Sequence, residues 1–452
     1  MSLKNNQVTI LNGSIYKAIL LLSFPIIINN FIQTLYNLVD AFWISKIGSV
    51  EFAATTFVWP VNFLFISIGM GISIAGTAIL SQLLGGNEKE EANKYASQLI
   101  MLSVVLGILL MIFGVLLSKV IVRAMGVDGK MLYYATLYLR LTFLDLPFMF
   151  YFFIFNAIMN SQGNSVIPTV LSGISAVLNA FLDPLLMFNF NMGVSGAAIA
   201  TIISKALLAI AGGIFLLKGK SHIQPDFKHF KFNKVIIKKS LKIAIPSAIG
   251  QSGSAIGFIF LNTFIVSYGT STMAAYGMVN RITSLISQPA QGISTAIISI
   301  VGQNFGANNL KRATDSFKKS VLLTSVIGIT GCLFLIWQRE RVINFFMQSK
   351  DDMEVINQGI TYLVYISFSM PLMGIFSSFQ GLFQGSGQTK YAMSMEIGRL
   401  WFVRLPMILF FKTFTSIGPE GIWFSMSFSN LLICIYGFFI YKKGSWMNNL
   451  IR

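Results

Sequence analysis

The chain has 452 residues, of which 54% are hydrophobic and only 11% charged. With a mean hydropathy of +0.71, it cannot be read as a string of soluble domains, because apolar stretches of ~18 or more residues recur along its whole length. A formal net charge of +17 would suit nucleic acid, but the basic residues gather in loops between apolar runs, so no nucleic-acid partner is expected. Cys332 and Cys434 both fall inside apolar runs, which implies no disulfide framework.

In chain order, about twelve membrane spans are predicted. The first six lie near 15–44, 53–83, 95–117, 132–159, 166–187 and 196–217; the second six near 241–266, 274–302, 319–337, 355–383, 391–411 and 421–441. The first runs on without a small-residue cleavage site, so it reads as a span and not as a cleavable signal peptide. A basic linker, 218–240, separates the two sets and holds Lys218, Lys220, Lys228, Lys231, Lys234, Lys238 and Lys239, with Lys242 just after it. By the positive-inside rule the linker and both termini are cytoplasmic, and the expected location is the cell inner (plasma) membrane. His222 and His229 sit in the linker, too far from any acid cluster to read as metal ligands or catalysts.

The chain repeats itself. One constant ungapped shift pairs Pro25 with Pro246, Gly48 with Gly269, Gly71 with Gly292, Gln82 with Gln303, Gly85 with Gly306, Asn87 with Asn308 and Gly107 with Gly328. With small gaps, NSQGNS at Asn160–Ser165 meets QGSGQT at Gln384–Thr389. Each half has an even number of spans, so both start on the same side of the membrane and the repeats are parallel. The expected fold is all-α and polytopic: twelve transmembrane helices in two pseudo-symmetric parallel six-helix bundles. The expected domains are an N-terminal lobe over 1–217, the linker 218–240 and a C-terminal lobe over 241–452. Pro25 and Pro246 lie inside the first span of each lobe, where proline either kinks the helix statically or lets it bend during a cycle.

An aspartate, Asp40, stands within the first span. A carboxylate in hydrocarbon costs at least ~2.5–3.5 kcal/mol, so it rarely persists without a role. Asn29, Gln33, Tyr36, Asn37 and Asp40 recur at helical spacing, giving one polar face that lines water or substrate and not lipid. The fifth span has its own stripe, Ser172, Ser175, Asn179 and Asp183. Counting turns from the outer ends puts Asp40, Asp183, Asn179, Tyr138 of the fourth span and Thr201 of the sixth at similar depth. The two acids would titrate as a coupled pair, and the sequence does not assign the proton to either. The alternative for Asp183 is a structural one, bracing the helix before Pro184.

Other intramembrane ionisable groups carry less. Asp145, before Pro147, reads equally well either way. Arg281 is the main basic exception among inward stripes. Glu396 and Arg399 pair at i,i+3, and a structural role suits them and Arg404. Asn156, nearer the cytoplasmic end of its span, either lines the cavity or packs helices. The seventh span, where Leu261 aligns with Asp40, offers Ser247, Gln251, Ser254 and Asn262: a polar but neutral face.

At these residues the chain resembles the multidrug and toxic compound extrusion (MATE) transporters. LVDAFWISKIG at Leu38–Gly48, LNAFLDPLLMFNFNMGVSGAAIAT at Leu178–Thr201 and GQNFGANNLKRA at Gly302–Ala313 carry the likeness. It implies a V-shaped central cleft between the lobes and cation-driven antiport of organic, often cationic, compounds. It also implies that Asp40, Asn179 and Asp183 form a cation site, with Tyr138 and Thr201 in its hydrogen-bond network. The acid-free seventh span looks like the proton-coupled, DinF-like branch, with sodium at Asp40 and Asp183 still open.

The expected function is therefore a proton-coupled multidrug efflux antiporter, a monomer in the bilayer, with no cofactor and no resident metal. Its partners would be organic cations or lipophilic drugs, and Gln33, Tyr36, Asn37 and Asn156 are candidate cavity residues. The alternatives are sodium coupling, or a flippase for a lipid-linked oligosaccharide or peptidoglycan precursor. No HExxH, Ser/His/Asp set or nucleotide loop supports an enzyme.

Overall fold

The computed structural model describes residues 3–219, 221–228, 230–346 and 352–448; Lys220 and His229 of the linker lie outside them. A short helix α1 (Leu3–Asn12) precedes the spans α2 (Ile15–Ser45), α3 (Ser49–Gly85), α4 (Lys89–Ala124), α5 (Gly129–Leu144) with α6 (Leu146–Ser161), α7 (Val166–Pro184) and α8 (Val194–Leu217). The second set is α9 (Lys234–Val266), α10 (Thr270–Gly306), α11 (Leu310–Phe346), α12 (Met353–Gly385), α13 (Thr389–Ile397) with α14 (Leu405–Phe414), and α15 (Glu420–Lys443). π-Helical turns extend α7 through Leu185–Asn189 and join α13 to α14 through Gly398–Arg404.

Ten of these helices are long and apolar enough to cross a bilayer, and α5 with α6 forms an eleventh span bent by 44°. The continuous helical stretch from Thr389 to Phe414 completes twelve. An all-helical answer follows from the solvent, since hydrocarbon offers nothing to an unpaired backbone amide. The fourth span, expected as one run over 132–159, breaks at Asp145. Pro147 cannot donate to the preceding turn there, and its Cα packs so closely on Gly107 of α4 that a Cβ on the glycine would lie 2.8 Å away. The repeat holds: a Cβ on Gly328 of α11 would meet the Cα of Pro371 in α12 at 2.6 Å.

The first span of each half straddles both lobes. Ile15, Ile19, Leu22 and Ile26 of α2 pack in one core with Ile293, Ile297 and Ile300 of α10. Reciprocally, Ile236, Ile243 and Ala244 of α9 enter the core that holds Ile72, Ala75 and Ile79 of α3. Beyond Pro25, α2 turns to α7 and α8; beyond Pro246, α9 turns to α13. Each helix stays continuous through its proline. Hydroxyls from the neighbouring span meet the carbonyls nearby: Ser165 donates to the Leu22 carbonyl at 2.8 Å, Thr169 to that of Pro25 at 2.9 Å, and Thr389 to that of Ile243 at 2.8 Å. Ser165 and Thr389 are partners in the repeat.

On the side that carries both termini the lobes close on each other. Gln82 Nε2 donates to the Gly385 carbonyl at 2.9 Å, and Gln303 Nε2 donates to the Ser161 carbonyl at 2.7 Å. Gly85 and Gly306 let the backbones approach, because a Cβ at either would run into backbone of the opposing helix, at Gln303 and Gln82 respectively. Just past these helix ends, Asn87 and Asn308 both take positive φ, at 60° and 57°, the left-handed turn that ends a helix. α1 straps the seam: Asn6 Nδ2 donates to Gly163 of the N-lobe at 2.9 Å, while Arg312 of the C-lobe donates to Ile10 and Gly13 carbonyls at 2.9 and 2.6 Å. The linker is pinned to the N-lobe, where Gln98 Nε2 donates to the Lys231 carbonyl at 2.7 Å and Gln162 Oε1 accepts from the His222 amide at 2.7 Å. Among the described residues, every hydrogen bond between the lobes lies at mid-depth (Ser67–Ser252, 3.0 Å) or on this side.

Such bonds contribute only about 0.5–1.5 kcal/mol each, so the seam depends on its close fit as well. Gly85→Val would overpack it by about 1–3 kcal/mol. Spin labels on Lys89 and Lys311, both exposed, should then show a longer distance distribution by pulsed electron resonance. An unchanged distribution would contradict the seam.

Candidate functional site: an acid cluster and a cleft

On the outer part of α2, Phe31, Leu35, Leu38 and Phe42 are exposed and form one stripe, the lipid face. Gln33, Tyr36, Asn37 and Asp40 lie on the opposite face; Gln33 and Asn37 are exposed there and outside the lining of the cavity between the lobes, while Tyr36 and Asp40 are half-buried. The hydroxyls of Tyr36 and Thr201 in α8 are 2.8 Å apart. Asn179 Nδ2 in α7 donates to Asp183 Oδ1 at 3.2 Å and to Thr201 Oγ1 at 3.5 Å. Asp183 is fully buried and Asn179 nearly so. Four of the residues picked out by spacing, from three helices, thus share one network: Tyr36, Asn179, Asp183 and Thr201.

Asp40 Oδ1, Asn179 Oδ1 and Asp183 Oδ2 are buried oxygens without a hydrogen-bond partner. All three accept, so the cluster is short of donors or of positive charge. A bound proton or a hard cation would satisfy it, and unsatisfied acceptors in a low dielectric are costly otherwise.

Tyr138 lies beside this network. It packs with Trp43 and Ile47 against Ile44, Met187 and Ala197, and among the described residues no hydrogen bond ties it to the acids. α5 begins earlier than expected, which sets Tyr138 deeper than a count from Leu132 gives. Asn156 is half-buried, on the helix face shared with Phe153 and Asn160, both of which line the cleft. No group of three or more His, Cys, Asp and Glu is placed for a metal among the described residues.

Lys205 of α8, one turn beyond Thr201, was not legible as a member of the site. It forms an ion pair with Asp145 at the break between α5 and α6, the two side chains being 27% and 6% exposed. An intramembrane lysine was itself the signal.

A cavity of about 660 Å³ lies between the lobes, with Ser73 and Thr77 of α3 on one side and α9, α10, α12, α13 and α15 on the other. The seventh span has no acid, and Leu261, the partner of Asp40 in the repeat, is fully buried. Glu396 of α13 supplies a carboxylate instead. It accepts from Ser254 of α9 at 2.8 Å, from Arg399 at 3.1 Å and from Gln380 at 3.3 Å. Arg399 and Arg404 line this cavity, whereas Arg281, expected as the basic exception, is exposed and outside its lining. The π turn between them, which shifts the helical register, is not visible in the residue pattern.

These features define a polytopic membrane protein of two duplicated lobes, sealed on one side, with an acid cluster toward the other. The MatE family matches residues 25–185 and again 246–410, and the chain belongs to that family. The probable multidrug resistance protein YoeA of Bacillus subtilis (strain 168) is 25% identical over 442 residues, covering 95% of each chain. The multidrug export protein MepA of Staphylococcus aureus (strain MSSA476) is 25% identical over 385 residues, covering 85% of this chain and 84% of its own. The crystal structure of a MATE transporter in complex with MaL6 superposes with a TM-score of 0.92 at 25% identity, over 97% of this chain and 98% of that one. The outward-facing conformation of a multidrug resistance MATE family transporter does so at 0.91 and 25%, over 97% of both.

Removing one partner of a buried ion pair costs about 3–5 kcal/mol, because the other charge is stranded. Lys205→Met should therefore lower the thermal midpoint of the purified protein clearly, and Asp145→Asn in the same chain should recover most of the loss. Additive losses would show that the pair is not coupled.

Proposed function

We propose that the protein is a secondary active antiporter that exports organic, often cationic, compounds across the cell membrane in exchange for protons. The observation that carries this reading is the buried, unpartnered oxygen of Asp40, one helical turn from Tyr36 and outside the hydrogen-bond network that Tyr36 joins. Ionised, the acid cluster attracts a cationic compound; protonated, it lets go. Proton and compound then compete for one site, and competition becomes antiport when the site is exposed to each side in turn. One charge crossing 100 mV supplies ~2.3 kcal/mol before any pH difference is added.

The seam supplies the second half of the cycle. With the termini cytoplasmic, as the positive-inside rule orients them, the lobes are closed inside and the acid cluster faces outward. Reopening the Gln82 and Gln303 bonds and separating the lobes at the outer side would reverse access, with α2 and α9 bending where each passes from one lobe to the other. The names of the relatives, multidrug resistance and multidrug export proteins, agree with this substrate class. The absence of an acid on the seventh span favours the proton over sodium.

The test is reconstitution into vesicles loaded with ethidium, under separate proton and sodium gradients. Proton-driven movement is expected from the wild type and none from a properly inserted Asp40→Asn protein. Sodium-driven movement would reassign the ion, movement by Asp40→Asn would remove the central claim, and none under either gradient would bring the precursor flippase forward.

A further inference from the structure

We propose that the C-lobe wall of the cleft is an oxyanion subsite centred on Arg404, which takes the carboxylate of a zwitterionic, drug-sized substrate. This rests on the export reading and narrows its substrate class.

Arg404 closes the π turn before α14 and is only 3% exposed, yet it lines the cavity together with Met426 and Asn430. Its guanidinium is held by neutral oxygens alone. Nε donates to Ser429 Oγ at 3.0 Å, and Nη2 donates to Asn430 Oδ1 at 3.1 Å and to the Met426 carbonyl at 3.3 Å. No acid forms an ion pair with it among the described residues, and Nη1 donates to no protein group there. The carboxylate in this wall, Glu396, is committed to Arg399, Ser254 and Gln380. One cation therefore remains unbalanced at membrane depth, where an ionisable group marks a substrate or ion pathway by default.

Arg399 points the same way. Its Nε is the one nitrogen among the buried side-chain atoms of the described residues that lack a partner, and its guanidinium stacks 4.5 Å from the Phe376 ring centroid. The buried unsatisfied atoms around Asp40 are acceptors, whereas the arginine wall offers donors. Guanidinium donors in a desolvated wall match a carboxylate in both charge and geometry. At about 660 Å³ the cavity is of the size that holds one drug-sized ligand.

The test uses the full-length protein in nanodiscs and two dyes that differ by one methyl ester: rhodamine 110, a free acid, and rhodamine 123, its ester. Fluorescence polarisation should show the acid binding about tenfold tighter than the ester, the scale of one charge-assisted hydrogen bond in such a site. Asn430→Asp, which sets a carboxylate on Arg404 with little change of volume, should bring the acid-to-ester ratio close to one. Equal binding of the two dyes by the wild type, a preference for the ester, or a preference that survives in Asn430→Asp would overturn the subsite. The wild-type comparison stands without any variant. Gradient-driven movement of the ester without a preference for the acid would sink this inference alone, whereas failure to move the ester would count against the export reading.

Discussion

Everything in this molecule that suggests work follows from one constraint: carboxylates are held at membrane depth without enough donors to satisfy them. Asp40 and Asp183 sit among Tyr36, Asn179 and Thr201, and the oxygens left over can only accept. In water such a cluster would be unremarked; in a low dielectric it is a standing demand for positive charge. Lys205, one turn beyond Thr201, is engaged with Asp145 and pairs with neither of these acids. The demand is left to a mobile proton, a cation or a cationic compound.

The architecture connects that demand to movement. Each lobe's first span lends its terminus-side half to the other lobe's core and its outer half to its own. The proline in each marks the crossing. The polar part of the seam is built from paired glycines, two reciprocal glutamine bonds and the α1 strap, and among the described residues no ion pair crosses it. Such an arrangement suits the alternating access proposed above.

Much of this was legible in the residues. The constant shift paired Gln82 with Gln303 and Asn87 with Asn308, and the structure gives each pair one role, in the seam bonds and the left-handed turns, which the shift alone did not reveal. The polar stripe on the first span and the Asn179–Asp183 spacing located the acid network, since helical periodicity fixes which side chains share a face. Tyr138 was placed at the right depth only approximately, because the start of α5 depends on loop geometry and not on hydropathy. Lys205 was missed, because its value depends on a partner sixty residues away at a helix break that hydropathy reads as continuous. Glu396 and Arg399 pair as their spacing suggests; that Arg404 lines the cavity was not legible, because the π turn before α14 leaves no trace in the residue pattern.

The central claim is that one acid site holds either a proton or a cationic compound, never both. Adding ethidium to purified protein in weakly buffered, sodium-free detergent solution, with pH followed by an indicator dye, tests it directly. Proton release that saturates with binding, and disappears in Asp40→Asn, is the result this account requires. Binding by the wild type with no proton released, or the same release from Asp40→Asn, would contradict it.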